Sequence, residues 1–237
     1  MNQLDIIIPV KNEVDNVEEL ALRINSAMKP ADISYRMIFV DDRSTDDTVQ
    51  RLQELSKIYP IKIHLKEGRL GKAYSILEGA QLTTSEFIAM IDADLQYPPE
   101  ALPKMYLLAQ QYGVCVANRR NRHANTFRRL GSKVNNFLFG KILFGFNCDN
   151  QSGLKVFRKE IIEHINPSEV TAWTLDMALL FTATQLGYQI AGVDITFEER
   201  KSGKSKLNFI KATFEIGIGA IRLKLRKIKT YPIKPLS

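Results

Sequence analysis

The chain has 237 residues, 45% hydrophobic and 25% charged, with a formal net charge of +7 from 33 Lys+Arg against 26 Asp+Glu. That length buries a core in one large domain or a domain with an appendage, and the excess of base favours anionic partners: nucleic acid, acidic lipid headgroups or phosphorylated substrates. Cys115 and Cys148 are too few for a disulfide framework, which fits a reducing compartment. No stretch reaches the roughly 20 apolar residues needed to span a bilayer as a helix.

The chain opens on an apolar run, Leu4–Val10, that reads as a buried strand. Its core is short, follows Asp5 and lacks a basic leader, so no secretory signal is expected. Val14–Met28 places Val17, Leu20, Ala21, Ile24 and Met28 at helical spacing. Tyr35–Val40 is the next strand, closed by Asp41-Asp42. Ser44 or Thr45 is the expected cap of a helix from about Asp46 to Tyr59, with Asp46 and Asp47 in its first turn. Ile61–Leu65 reads as a strand, Gly71–Leu82 as a helix, Phe87–Ile91 as a strand, Pro99–Tyr112 as a helix and Val114–Ala117 as a strand. Apolar strands alternating with amphipathic helices predict an α/β fold, a mostly parallel twisted sheet covered on both faces.

Ligands of such sheets bind beyond the carboxyl ends of the strands. Pro9–Glu13, Asp41-Asp42 and Asp92–Gln96 all fall at such ends and can converge there. Asp92-Ala93-Asp94 with Gln96 offers oxygen ligands of the kind hard divalent cations take. The same residues also suit a polar turn, since Asp is common in turns. No GxGxxG follows the first strand and no GxxxxGK[ST] occurs, so the usual dinucleotide and P-loop signatures are absent.

After Asn118 the character changes. Arg119-Arg120-Asn121-Arg122-His123 reads as a basic loop, with Arg128, Arg129 and Lys133 beyond it on a helical pattern. Phe127, Leu130, Val134, Phe137, Leu138 and Ile142 form its apolar stripe. That stripe suits an interfacial membrane helix and equally a helix packed on its own core. The crowding of Phe137, Phe139, Phe144 and Phe146 favours the membrane.

A polar turn, Asp149–Gly153, leads into an apolar strand ending at Phe157. Trp173–Leu186 is a predicted helix carrying Asp176, and Tyr188–Phe197 a strand. Glu198–Lys206 is a charged, glycine-containing loop, and Leu207–Lys229 an amphipathic helix whose end is strongly basic. Such a helix suits solvent, a protein partner or an anionic lipid surface.

Read together, IPVKNEVDNV, VDDRSTDDT, GRLGKAYSILEGA, IDADLQYPPE, SGLKVFRKEI and FEERKSGKSKL stand in the order found in dolichyl- or polyprenyl-phosphate sugar synthases, which the chain resembles from about Leu4 to Leu207. These are inverting, A-type fold glycosyltransferases of family 2. The resemblance implies that Pro9, Lys11 and Glu13 line the nucleotide pocket and that Val40 and Asp42 contact base and ribose. It implies donor contacts from Asp92, Ala93 and Arg119, with Asp94 and Gln96 holding Mg²⁺ or Mn²⁺. Arg128 matches a residue that holds the acceptor phosphate, and Arg200 and Lys206 a loop that closes over the donor. Lys11 stands where the family often has an aromatic residue. Arg43 replaces a usual glycine, which leaves the backbone of that turn open.

The implied reaction moves a sugar, mannose or glucose, from a nucleotide-diphosphate donor to a polyprenyl or dolichyl phosphate. The catalytic set on this reading is Asp94, Arg128 and Asp176. A lipid monophosphate is largely dianionic at neutral pH and needs no general base. A hydroxyl acceptor in glycan or cell-envelope polysaccharide synthesis would need one, and Asp176 is the candidate. Asp176 fits a structural helix contact as well.

The expected organisation is a catalytic domain over 1–206, with a nucleotide-sugar half (1–118) and an acceptor half (119–206), then a basic helix and tail over 207–237. The sequence stops at Ser237 where many of these synthases continue into transmembrane helices. The expectation is therefore peripheral attachment to the cytoplasmic face of a membrane, through an anionic surface or an anchoring protein partner. Against a nucleic-acid module, the basic residues flank an aspartate-bearing rim and no nucleic-acid motif is present, so no specific nucleic acid is expected. A nucleotidyltransferase would carry a glycine- and basic-rich loop after the first strand, where this chain has Lys11-Asn12-Glu13.

Overall fold

The computed structural model describes residues 3–120, 146, 148–171 and 174–198. Seven strands among them, β1 (Leu4–Val10), β2 (Tyr35–Asp41), β3 (Ile61–Leu65), β4 (Phe87–Met90), β5 (Gly113–Arg120), β6 (Lys155–Arg158) and β7 (Gln189–Thr196), form one sheet in the order β3-β2-β1-β4-β6-β5-β7. β1 runs parallel to β2 and β4, β2 to β3, and β5 to β7, while β6 is antiparallel to both its neighbours. The mostly parallel sheet predicted from the alternating pattern is what the chain adopts.

Side chains alternate across the sheet and feed two apolar layers. Leu4, Ile6, Ile8, Met37, Phe39 and Ala89 pack beneath α1 (Val17–Met28), α2 (Thr48–Leu55) and α4 (Leu102–Tyr112). Ile7, Ile38, Val40, Ile88 and Phe157 pack on the other face beneath α3 (Lys72–Gln81), α5 (Lys159–Glu163) and α6 (Leu175–Gln185). Each of these side chains larger than alanine, fully withdrawn from water, contributes about 1.5–3 kcal/mol. The outer strands β3 and β7 are only half-buried, as edges allow. At the amino end of β1 the fully buried Asp5 takes both arms of Arg36 at 3.0 and 2.9 Å and the Thr84 amide at 2.9 Å. That carboxylate is structural, and the remaining strand-end carboxylates lie on the opposite rim.

Three local expectations differ from the structure. The helix expected from Asp46 begins at Thr48, and neither Ser44 nor Thr45 caps it. Asp46 instead accepts the amides of Thr48 (3.1 Å) and Val14 (3.4 Å), while Ser44 Oγ accepts the Asn12 amide at 2.9 Å. The side chains read as caps therefore stitch the first two strand-end loops together. The helix expected from Val14 begins at Val17, because the carbonyl of Glu13 first closes a turn onto the amides of Asn16 and Val17. Last, Arg119 and Arg120 are not in a loop. Pairing with β7 continues from Gly113↔Gln189 to Arg120↔Thr196 and carries both arginines inside β5.

Candidate active site

The strand order reverses between β1 and β4, with β2 and β3 on one side and β6, β5 and β7 on the other. Loops leaving the two central strands separate there and open a crevice. A cavity of about 310 Å³ occupies it, lined by Pro9, Val10, Lys11, Glu13, Asp42, Lys72, Ser75, Asp92, Ala93 and Asp94. These residues come from the ends of β1, β2 and β4 and from the first turns of α3.

The side formed by β1, β2 and β3 is organised by Lys66, just past the end of β3. Its side chain is fully buried, and its ammonium donates to Asp42 Oδ1 (2.8 Å), the Gly71 carbonyl (2.9 Å) and Ser75 Oγ (3.0 Å). Three donors meet three acceptors, the condition under which a buried ammonium is tolerated. Asp42 Oδ2 accepts the Gly71 amide at 2.8 Å. Gly71, with φ of 115°, turns the chain into α3 through a region open to glycine. Arg43 holds φ of 62°, in the left-handed region, and donates to the carbonyls of Glu67 (3.0 Å) and Gly68 (3.4 Å).

At the end of β4, Asp92 forms an ion pair with Lys72 Nζ. Partial burial opposes the charge on Lys72, whose side chain keeps some contact with water, but Asp92 and Asp176 outweigh it and hold the amine above its ordinary range. A Cβ placed on Gly153 would collide with the Asp92 carboxylate and the Tyr97 ring, so only glycine lets this turn approach so closely. The Gly153 amide donates to Tyr97 Oη at 2.6 Å. Asp94 Oδ1 accepts the Gln96 amide at 3.3 Å across a turn in which Leu95 has φ of 61°. Gln96 and Glu198 exchange two bonds, Gln96 Nε2 to the Glu198 carbonyl (3.2 Å) and the Glu198 amide to the Gln96 carbonyl (3.0 Å). The loop after β4 is thereby fastened to the segment leaving β7.

Carboxylates from Glu13, Asp42, Asp92 and Asp94 in one cavity fit a hard divalent cation such as Mg²⁺ or Mn²⁺. Among the described residues no group of three or more His, Cys, Asp or Glu side chains forms a complete cage. This donor set accordingly suits a cation that shares its coordination with substrate oxygens.

On the far side, Arg119 is mostly buried and grips Asp149 through Nε (2.5 Å) and Nη2 (2.9 Å), with a further bond to the Gln151 carbonyl (3.1 Å). Its guanidinium also stands 5.4 Å from the centroid of the Phe197 ring. Lys155, fully buried in β6, donates to the Ser152 carbonyl and to Asp176 Oδ1 (2.5 Å) at the start of α6. Neither cysteine is a candidate nucleophile: burial pushes Cys115 up to about 12 and Cys148 up to about 11.

Residues 5–165 match the model of glycosyl transferase family 2. The chain belongs to that family. It is 28% identical over 215 residues to the undecaprenyl-phosphate 4-deoxy-4-formamido-L-arabinose transferase of Proteus mirabilis, covering 89% of this chain and 64% of that protein. It is 29% identical over 221 residues to the dolichol-phosphate mannosyltransferase of Pyrococcus furiosus, covering 86% of this chain and 59% of that protein. The chain thus spans less than two thirds of the length of these curated relatives. Its fold matches glucosyl-3-phosphoglycerate synthase from Mycobacterium tuberculosis, crystallised with Mn²⁺, UDP and glucosyl-3-phosphoglycerate, at a TM-score of 0.73 and 16% identity, covering 99% and 89% of the two chains. Mannosyl-3-phosphoglycerate synthase from Rubrobacter xylanophilus matches at 0.70 and 16%, covering 97% and 78%.

Within this family 2 chain, Pro9, Lys11, Glu13, Asp42, Asp92, Ala93 and Asp94 line one cavity, as a reading of strand ends expects. Val40 is fully buried, and its side chain packs in the layer beneath α3 rather than along the cavity. Gln96, Arg119 and Asp176 stand outside the lining, Asp176 within electrostatic reach of Lys72. Arg128, Arg200 and Lys206 lie outside the described residues, as do the apolar stripe from Phe127 to Ile142 and the basic C-terminal segment. Among the described residues no helix is long and apolar enough to cross a membrane. Sequence reasoning missed Lys66, Lys72, Ser75 and Lys155. Lys66 and Ser75 flank the Gly68–Lys72 stretch and Lys72 closes it, and its glycines and bases were a visible signal. Lys155 had a signal too, a cation set between the apolar Leu154 and Val156.

Proposed function

We propose that this chain transfers a sugar, mannose or glucose, from a nucleotide-diphosphate sugar to a polyprenyl phosphate, with inversion at the anomeric carbon. A lipid-phosphate oxygen attacks the anomeric carbon, and the bond to the diphosphate breaks with its electron pair leaving on the nucleoside diphosphate. Asp42 and the β1 loop hold the nucleotide, while Lys11 and Lys72 face the phosphates. Asp94, aided by Gln96, would hold Mg²⁺ or Mn²⁺, and Asp92 would orient the donor or water at the cation. When bound, the cation neutralises charge developing on the departing diphosphate. Arg119 fixes the floor of the donor site through Asp149. Arg128 receives the acceptor phosphate, and Arg200 and Lys206 close over the donor to exclude water. The catalytic unit is assigned to 1–206, with 207–237 resting on an anionic cytoplasmic membrane surface, alone or with an anchoring protein partner.

The observation that carries this reading is the single cavity in which Asp92 and Asp94 meet Lys11 and Lys72 at the reversal of strand order. The acceptor class is supported by relatives named for undecaprenyl phosphate and dolichol phosphate. It is supported also by the state of Asp176. That carboxylate is bound to a fully buried lysine, so taking a proton from a hydroxyl would forfeit the pair. A phosphate acceptor asks for no such step. The deciding experiment incubates the protein with radiolabelled nucleotide sugars and polyprenyl phosphate in vesicles. Label should enter an organic-extractable, mild-acid-labile product; label confined to soluble glycan would overturn the assignment in favour of a hydroxyl acceptor.

A further inference from the structure

Besides Lys11, which also lines the cavity, three lysines in or beside it are paired with carboxylates, and these pairs are not alike. Lys66 and Lys155 have fully buried side chains locked by fixed acceptors. Lys72 has a side chain 40% exposed, and its partner Asp92 is 26% exposed, so water reaches both halves of the pair. Lys72 is also the first residue of α3, where the helix dipole is positive and a cation is disfavoured. An amine placed there depends on a nearby anion for compensation. Asp176 lies within electrostatic reach but already holds Lys155, which leaves Asp92 as the carboxylate that Lys72 pairs with directly.

We propose that Lys72 is the resident counter-ion of the cation site, holding Asp92 until a donor diphosphate draws its ammonium away. This rests on the reading of the cavity as a metal-assisted nucleotide-sugar site. A divalent cation arriving alone at Asp94 meets the positive charge of Lys72 paired with the carboxylate two residues away, in the same cavity. An arriving diphosphate offers Lys72 a more highly charged partner at the end of a helix that favours anions. The lysine's flexible stem allows that exchange, and Asp92 is then released toward the cation or its waters. Metal and nucleotide consequently strengthen each other's binding, by the same factor in either order.

The test is Mn²⁺ binding followed by the EPR signal of free metal, on the full chain, alone and with UDP or GDP, after subtracting metal bound by nucleotide in solution. Lys72→Met should bind Mn²⁺ alone about three- to fivefold tighter than wild type, the range of a water-exposed ion pair. The enhancement by nucleotide should shrink by the same factor. Lys72→Arg, which keeps a positive charge at that place, should bind Mn²⁺ alone less tightly than Lys72→Met, and Asp92→Asn should erase the gain when combined with Lys72→Met. Mn²⁺ affinity in Lys72→Met that is unchanged or weaker overturns the inference. So does equal Mn²⁺ affinity of the wild type with and without nucleotide, a measurement that needs no variant. Unchanged affinity in Lys72→Met beside intact lipid labelling by wild type overturns this inference alone. Absent lipid labelling beside the tighter Mn²⁺ binding of Lys72→Met overturns the acceptor assignment and leaves the counter-ion in place.

Discussion

Lys66 and Lys155 are both fully buried ammonium groups, one on each side of the cavity, and each holds a carboxylate near it. Lys66 has three acceptors and a partner, Asp42, whose side chain is only 10% exposed. Lys155 bonds Ser152 and Asp176, and Asp176 is 26% exposed. The first arrangement is closed and fixes the entry to α3 through Gly71, Ser75 and Asp42. The second is half open and presents Asp176 toward Lys72 and the cavity. A buried ion pair is weak evidence of net stability, but breaking one by removing a single partner is strongly destabilising. The difference between the two pairs therefore separates scaffold from presentation.

The largest expected effect lies between them. Asp94→Asn should lower sugar transfer by about 10²–10³-fold, the scale for losing one charge-stabilising group at a reaction centre. Its thermal midpoint should stay close to wild type, since Asp94 faces the cavity rather than the core. Unchanged turnover would remove Asp94 from the site and leave the donor half without its assigned cation holder.

Lys66→Met comes next. It strands Asp42 with most of its carboxylate out of water, and should cost about 3–5 kcal/mol of stability by chemical denaturation. Lys155→Met should cost less, about 1–3 kcal/mol, because Asp176 can recover water that Asp42 cannot reach. Equal losses would erase the distinction between a closed and an open pair. A larger loss from Lys155→Met would reverse it.

Much of this arrangement was legible in the sequence, for a physical reason. Strands buried on both faces read as unbroken apolar runs, and a parallel sheet fixes which ends its ligands use. Pro9–Glu13, Asp42 and Asp92–Asp94 can therefore be gathered from the sequence. The lysines cannot, because a lysine is normally a solvated surface residue and its burial depends on acceptors distant in sequence. Lys155 meets Asp176 across 21 residues and Lys66 meets Asp42 across 24. Arg119 and Arg120 were misread as loop for a related reason. Their strand character comes from pairing with β7, more than 70 residues further on. The caps expected at Ser44 and Thr45 failed because those side chains bond to Asn12 in the β1 loop, a tertiary demand that local propensity does not register.

The smallest effect sharpens the comparison from the closed side. Arg43 occupies the left-handed region at φ of 62° although it carries a side chain, and its guanidinium spans to the carbonyls of Glu67 and Gly68. Replacement by glycine relieves the backbone by about 1 kcal/mol but gives up those exposed bonds, each worth about 0.5–1.5 kcal/mol at most. The two contributions nearly cancel, so Arg43→Gly should move stability by no more than about 1 kcal/mol in either direction. Nucleotide affinity reports what stability does not. If the Lys66 network alone holds the loop between β3 and α3, UDP and GDP should bind Arg43→Gly as they bind wild type. A tenfold loss, about 1.4 kcal/mol, would mean that the arginine shares that work and that the closed pair is less self-sufficient than its three hydrogen bonds imply.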